Sequence, residues 1–464
     1  MHANVLLLAA LLTAPAPAPT APQLLDTAIA RMGGPAALAA VKSVRYEMLT
    51  QWQRLSFDPS PYTDRPSYER HAELRDYAAG AWRNTRQFPV GASWREITDI
   101  VVDSVAARRS GTGPWAPLAS AYVDERREVF AFAAERLLPA ARAAADLRAL
   151  GDTTIAGVRY ARVAATVSGI PATLHLRARD GMLAMVHYRA AQPKDFGLAP
   201  WGAMEVEWWY SGWQQTAAGV ALPTQLDVRR VGRPYKRMSV LLATVNAPAP
   251  VDSFAVSDSL RVAFRRGPSA LAMYDLPLDS AKRVAPRVVS FATPGAPAGA
   301  VKLGRSWLLL EAGTAPLSIE RAAGWLARAD SGAVVTGAVL SAAAYPQGGL
   351  PWLLSRRAPL YVAPGAAPVA AAVAQGHDVA PPAPASVVSR GRWLRLDGDS
   401  AWIEPVDLPD APGALLVYVP SLEWAYSAMA MSPPHQRPIE AILRARGWPV
   451  TRIGNARVPW PAVK

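Results

Sequence analysis

Apolar positions change their period twice along this chain. Leu24, Leu25, Ala28 and Met32 recur at helical spacing, Gly33-Gly34 interrupts them, and Pro35–Val41 resumes the helix. From Ser43 the period drops to two. Val44–Trp52, Ala81–Phe88, Trp94–Val102, Val158–Val167, Ala172–Arg177, Leu183–Arg189 and Met204–Tyr210 read as strands, with turns at Ile170-Pro171, Asp180-Gly181 and Gly212. One stretch of this half, Asp124–Leu150, is rich in Ala, Leu, Glu and Arg and predicts a long helix that Pro139 kinks or splits. Many consecutive strands with one helical insertion predict a curved antiparallel sheet carrying helices on one face.

Around Asp252–Ala300 the chain becomes connector-like, with APAPVDSF, LPLDS and ATPGAPAGA. Strand and helix then alternate. Trp307–Glu311, Val334–Leu340, Leu360–Val362, Trp393–Leu396, Ala401–Glu404 and Leu415–Val419 read as strands; Leu317–Ala329, Leu350–Arg356 and Ile439–Arg446 read as helices, and Ser341–Gly349 as a loop. The chain therefore divides into residues 1–21 (a signal peptide, argued below), an antiparallel β domain over 22–262, a linker with a first strand over 263–298, and a second domain over 299–464. The fold class is α+β.

Composition narrows the chemistry. The 464 residues are 51% hydrophobic and 18% charged, enough apolar material for a sizeable core. Cysteine is absent, so disulfides, thiolate metal sites and a cysteine nucleophile are excluded. The net charge of +13 is almost all arginine, but the Arg-Arg pairs (Arg108-Arg109, Arg126-Arg127, Arg229-Arg230, Arg265-Arg266, Arg356-Arg357) are scattered, whereas a nucleic-acid face needs them clustered. No nucleic-acid partner is expected. Val5–Leu12 followed by TAPAPAPTAPQ has the form of a secretory apolar core with its cleavage zone, although the preceding Met1–Asn4 carries no Lys or Arg. It is too short to span a bilayer, which needs about 20 apolar residues, and no later segment reads as a transmembrane helix. The expectation is a periplasmic or secreted protein.

Four stretches of the second half follow one another as in a known family: VKLGRSWLLLEAG (Val301–Gly313), AVLSAAAYPQGGLPWLLSRRAPLYVAP (Ala338–Pro364), DAPGALLVYVPS (Asp410–Ser421) and WPVTRIGNARVP (Trp448–Pro459). Over roughly residues 285–460 the chain resembles the metallo-β-lactamase fold superfamily, which implies an αββα sandwich. MGGPAALAAVKSVRYE (Met32–Glu47) gives the first half a resemblance to lipoprotein-carrier-like β domains.

That superfamily holds two zinc ions through His-x-His-x-Asp-His followed by Gly-Gly, because the metals must bring their bound water to a pKa near 7. With Gly348-Gly349 as anchor, the resemblance puts Ser341, Ala343, Tyr345 and Pro346 at the four signature positions. It puts Asp410 at the next histidine, Met429 at the bridging aspartate and Asn455 at the last histidine. Scaffold residues Gly348, Gly349, Gly413 and Pro420 remain, while the ligands do not. Of the six histidines only His377 and His435 fall in this half, neither with a histidine two to four residues away. Asp397, Asp399, Glu404, Asp407 and Asp410 form a carboxylate-rich run without the pattern of a calcium loop. The resemblance thus implies zinc lost, no cofactor and no catalytic residue.

Gly-x-Ser-x-Gly, a P-loop and a dinucleotide fingerprint are missing. His175, His187, Glu205 and Glu207 lie in strand-like runs and read as sheet-face residues. Trp201, Trp208, Trp209, Tyr210 and Trp213 crowd thirteen residues and are candidates for a groove taking an apolar or lipid-like ligand, or for packing between sheet and helix. The reading is an exported pseudoenzyme that binds or scaffolds, with its partners unidentified. One alternative is a hydrolase with a rebuilt site using Asp410, His377 or His435. The other is a periplasmic lipid or lipoprotein-handling module.

Overall fold

The computed structural model describes residues 19–53, 67–192, 201–250, 252–267, 278, 280–292, 298–313, 315–332, 334–342, 347–379, 385–409 and 411–455. Helices α1 (Ala21–Arg31) and α2 (Gly34–Ala39) open it. The Thr20 hydroxyl accepts the Gln23 amide while the Gln23 side chain takes the Thr20 amide, so two donors that a helix start leaves orphaned are satisfied reciprocally. Gly33 separates the helices at a φ of 115°, and a Cβ there would stand 2.1 Å from the Gly219 carbonyl oxygen. Glycine is required on both counts.

Strands β1 (Ser43–Trp52), β2 (Ser67–Asp76), β3 (Ala81–Val90), β4 (Ser93–Val102), β5 (Val105–Ser110) and β6 (Ala116–Pro117) follow, then helices α3 (Ala121–Ala131) and α4 (Ala134–Arg142). Seven more strands come next: β7 (Arg148–Ile155), β8 (Val158–Val167), β9 (Ile170–Arg177), β10 (Leu183–Ala191), β11 (Ala203–Gln215), β12 (Ala221–Arg230) and β13 (Arg233–Val245). Among the described residues these strands form one antiparallel sheet, ordered β6-β5-β4-β3-β2-β1-β13-β12-β11-β10-β9-β8-β7. Two meanders therefore join through β1 and β13, where Val44 faces Val245 and Trp52 faces Lys236. Val44, Tyr46 and Met48 of β1 share a buried cluster with Leu25, Ala28 and Leu38 of the first helices and Leu137, Leu138 and Ala141 of α4.

Two sequence expectations change here. The long helix over Asp124–Leu150 is two short ones, broken at Phe132–Ala133 rather than at Pro139, and β7 begins at Arg148. Tertiary contacts decide the break: the Phe132 ring stacks on Tyr188 at 4.2 Å, and the carbonyl freed there accepts the Tyr210 hydroxyl at 2.7 Å. Strand β2 falls on SYERHAELRD, which lacks apolar alternation because its inward positions are charged. Its buried charges are paired: Arg75 Nε donates to Glu73 at 2.7 Å, Trp82 Nε1 to the same carboxylate at 2.8 Å, and His71 meets Glu69 at 3.1 Å.

Helix α5 (Asp258–Arg266) packs Leu260 beside Ile100 and Ala107 of the first sheet. Strands β14 (Ser280–Ala285), β15 (Val288–Ala292), β16 (Ala298–Leu303), β17 (Ser306–Leu310), β18 (Val334–Leu340), β19 (Leu360–Val362) and β20 (Ala385–Val387) form a second sheet in chain order, with parallel pairing from β17 onward. Helices α6 (Pro316–Ala329), α7 (Leu350–Ser355) and α8 (Ala367–Gly376) connect its parallel strands. A third sheet runs β21 (Arg392–Leu396), β22 (Asp399–Leu408), β23 (Ala411–Val419), β24 (Trp424–Tyr426) and β25 (Arg452–Gly454), with α9 (Pro433–Ala445) leading into β25. Val301, Leu308 and Leu310 of the second sheet share one buried cluster with Ile403, Leu415 and Val417 of the third. Ile439 and Leu443 of α9 pack with Leu416 and Tyr418. The fold is α+β, as the alternation of periods implies.

The two halves of the chain meet where α8 lies against β11. Arg189 donates to the Gln375 carbonyl at 2.6 Å and reaches Asp378 at 3.3 Å. A Cβ on Gly376 would stand 1.7 Å from the Trp201 carbonyl oxygen. Among the described residues no helix is long and apolar enough to cross a membrane.

Candidate functional site

The parallel strands β17 and β18 end side by side, with Leu310 opposite Val339. The apolar run WLLL needs burial and gets it; the chain then turns at Glu311, whose φ is +71° and whose side chain is fully buried. A non-glycine residue in this region is uncommon and stores strain of the order of 1–3 kcal/mol. Glu311 accepts the backbone N–H of Ser341 at 3.0 Å. Ser341, also fully buried, accepts the Ala428 N–H on its hydroxyl at 3.0 Å and the Leu415 N–H on its carbonyl at 2.8 Å. Burial pushes the Glu311 carboxyl up to about 7, against the opposite pull of its Ser341 hydrogen bonds.

The Gly348-Gly349 pair clamps this end. Gly348 and Gly349 donate their amides to Gly313 and Ala312 at 2.8 and 2.9 Å. A Cβ on Gly349 would stand 2.2 Å from Ile319 Cγ1 and 2.3 Å from the Ala312 carbonyl oxygen. Asn455 donates its side-chain amide to Ala430 at 3.0 Å, and Met429 is buried in the cluster of α9 and the third sheet. Of the positions that the resemblance gives to metal ligands, Ser341, Met429 and Asn455 are thus described; Ala343, Tyr345, Pro346 and Asp410 lie outside the described residues. Ser341 and Asn455 spend their polar atoms on neighbouring backbone, Met429 offers only a buried thioether, and Ala343 and Pro346 carry no donor. Asp410 keeps a carboxylate and Tyr345 a phenol, so the set lacks the three or four nitrogen, sulfur or carboxylate donors that zinc takes. Among the described residues no three His, Cys, Asp or Glu side chains group so as to hold a metal. His377 ends α8 at the contact with Gly202, and His435 lies in the first turn of α9 beside Ser432.

What remains is polar and sealed. Glu311 Oε2, both polar side-chain atoms of Gln347 and the Ser427 hydroxyl are buried without a hydrogen-bond partner. A carboxyl near 7 has the affinity a general base needs, but Glu311 has no exposed surface through which a substrate could reach it. The sequence reading did not single out Glu311; its signal was an acid ending an uninterrupted apolar strand.

The five aromatics do not share a face. Trp208 and Tyr210 point toward the helices, where Trp208 Nε1 donates to the Tyr188 hydroxyl at 3.0 Å and lies 6.4 Å from Phe132. Trp209 projects from the other face and donates to Glu207 at 2.7 Å. Tyr210 and Trp213 stack at 6.4 Å, and Trp201 is buried at the seam with α8. On the Trp209 face His187 pairs with Glu205 at 2.6 Å, and burial first, then the charges of His187 and Arg162, lower His175 to about 4. An apolar opening lies elsewhere: a cavity of about 1050 Å³ between α1–α2 and α3–α4, walled by Ile29, Leu38, Phe130, Pro139 and Val167, with Glu135 and Tyr77 on its lining.

No protein-family model matches the sequence, and no curated protein matches it. Among solved structures the chain is similar to the metallo-beta-lactamase from Pontibacter korlensis, with 11% identity and a TM-score of 0.30 over 39% of this chain and 93% of that one. It is similar to the DIM-1 metallo-beta-lactamase, with 11% identity and a TM-score of 0.31 over 39% of this chain and 90% of that one. It is also similar to an outer membrane lipoprotein-sorting protein domain from Vibrio parahaemolyticus, with 10% identity and a TM-score of 0.31 over 50% of this chain and 95% of that one. Both kinds of protein that the sequence resembles are present among these structures.

Proposed function

We propose that this chain is an exported binding protein rather than a hydrolase: a metallo-β-lactamase-fold pseudoenzyme whose carrier-like first domain takes an apolar or lipid-like ligand. In this reading residues 1–21 are a signal peptide, 22–262 the carrier-like domain, 263–298 a linker with a first strand, and 299–464 an αββα sandwich without metal ligands.

The observation that carries it is the state of Ser341. At the position that the resemblance gives to a first zinc ligand, Ser341 is a buried hydroxyl engaged with the Ala428 amide, on a backbone tied to Glu311 and Leu415. Such a residue holds strand ends together, with its hydroxyl and carbonyl both in use. The apolar cavity supplies the binding half of the reading, since concave apolar volumes of this size suit ligand burial.

The test is metal content and turnover on the full-length, untagged protein. After dialysis against micromolar zinc, elemental analysis is expected to find well under one zinc per chain, and β-lactam and thioester reporters are expected to stay intact. Two retained zinc ions, or hydrolysis abolished by Asp410→Ala, His377→Ala or His435→Ala, would replace this reading with a rebuilt-site hydrolase.

A further inference from the structure

We infer that the cavity between α1–α2 and α3–α4 selects an amphiphile with a cationic, N–H-bearing head, and that Glu135 with Tyr77 forms the head-group site. The inference rests on the binding reading above and adds a head group to its apolar ligand. Glu135 stands in the first turn of α4 and is 1% exposed. Its Oε1 accepts the Tyr77 hydroxyl at 2.5 Å, while its buried Oε2 has no hydrogen-bond partner. Both side chains line the cavity. An unpartnered buried carboxylate oxygen is unfavourable by itself, and here it borders an apolar chamber with room for a chain.

The cations near Glu135 are engaged elsewhere. Tyr46, Tyr77 and Tyr210 are all raised well above the ordinary phenol value, by burial first and then by the charge of Glu135, with Arg75 pulling the other way. Arg75 is already committed to Glu73 at 2.7 Å. Glu73 has the charges of both Arg75 and Lys236 acting on it, whereas among the described residues no salt bridge reaches Glu135. At the surface Arg142 is paired with Asp26 at 2.8 Å, and the exposed Arg136 lies over the Tyr77 ring at 5.2 Å. A ligand ammonium seated on Oε2 completes the hydrogen bonding of Glu135 and balances its charge, while the alkyl part lies along Ile29, Leu38, Phe130 and Val167. A carboxylate head in the same place meets Glu135 as a like charge, and its one available cation is Arg136.

The experiment uses the full chain loaded with the neutral fluorophore N-phenyl-1-naphthylamine and displaced at pH 7 by dodecylamine, dodecanol and dodecanoate, each below its micellar concentration. Dodecylamine is expected to displace the probe at a concentration about ten-fold below dodecanoate, with dodecanol between them, which corresponds to ~1.4 kcal/mol. Glu135→Gln is expected to bring amine and carboxylate within about two-fold of each other. Equal displacement by all three, tighter binding of dodecanoate, or an amine preference that survives Glu135→Gln overturns the head-group site while the apolar cavity stands. Failure of the probe and of every alkyl ligand to bind removes both. The order of the three heads on the unmodified protein decides the matter even where Glu135→Gln does not fold.

Discussion

The backbone N–H of Ser341 donates to the Glu311 carboxylate at 3.0 Å, tying the ends of two parallel strands at the point where the resemblance puts the first zinc ligand. The Ser341 hydroxyl extends the tie to Ala428, beyond the third sheet's β24. A carboxyl and a hydroxyl thereby connect segments of two sheets, and the strained φ of Glu311 is held by the bonds it makes.

Glu311 makes stability depend on pH in a definite direction. Its folded-state value of about 7 lies above the ordinary 4.5, so the folded chain favours the protonated form. The stabilisation is complete below about pH 4.5 and is lost as pH rises toward 7. Glu311→Gln cannot ionise, so between pH 4 and 7.5 the variant is expected to gain up to about 3 kcal/mol relative to the parent. Urea unfolding at three pH values measures this, and a difference that stays constant with pH removes the buried-acid account.

Ser341 separates a structural role from a latent metal role. Ser341→Ala leaves the Ala428 N–H without its acceptor and is expected to cost about 1–3 kcal/mol. Ser341→His puts a larger ring into a fully buried position and is expected to cost more than the alanine change. Combined with Ala343→His, Tyr345→Asp and Pro346→His, it is expected to create neither zinc retention nor reporter hydrolysis. Thermal melts and elemental analysis read both halves; a histidine variant that melts above the alanine variant speaks against the packed hub.

Two glycines give opposite outcomes under the same substitution. Gly376→Ala would drive a Cβ to 1.7 Å from the Trp201 carbonyl, so the α8–β11 contact must separate, with a loss of ~1–3 kcal/mol or more and faster proteolysis between the halves. Gly324 lies inside α6 at an ordinary φ, with the end of the Arg328 side chain as its near neighbour at 3.5 Å. Gly324→Ala is expected to raise stability by about 0.5–1 kcal/mol. Differential scanning calorimetry with limited proteolysis distinguishes them.

Arg75 carries the buried charges of β2. Burial alone would raise the Glu73 carboxyl, but the charge and hydrogen bond of Arg75 outweigh it and hold Glu73 below its ordinary value. This pair therefore stabilises above the ordinary carboxylate range and fades as pH falls through the depressed value. Arg75→Met removes the ion-pair partner of Glu73 and is expected to cost ~3–5 kcal/mol at pH 7, and less at pH 3, because loss of Arg75 makes the buried carboxyl easier to protonate. Denaturant midpoints at the two pH values test the difference; a larger loss at pH 3 contradicts it.

Local pattern was enough for most elements. Val334–Leu340 and Leu360–Val362 are strands over the residues that alternation and β-branching indicate, and Pro316–Ala329 is the helix expected within a residue of its start. In each, one apolar face or run is buried, so hydrophobic period and structure report the same fact. β2 was illegible for the converse reason. Its inward residues Glu69, His71, Glu73 and Arg75 are of surface types, and partners on neighbouring strands, Trp82 and Arg86 of β3 and Tyr46 of β1 among them, make their burial tolerable.

Composition alone established the absence of cysteine and the scarcity of histidine, because these are questions of which donor atoms exist. The role of Ser341 depended on packing across hundreds of residues. Ser341 becomes a hub because β17, β18, β23 and the segment after β24 converge there. Likewise nothing local distinguishes Glu135 in AERLLPAAR from a solvated helix charge. It faces a cavity because α4 is pressed between the sheet and α1 while Tyr77 arrives from the end of β2. Which atoms are present is a property of the chain; which of them are left unpaired is a property of long-range burial.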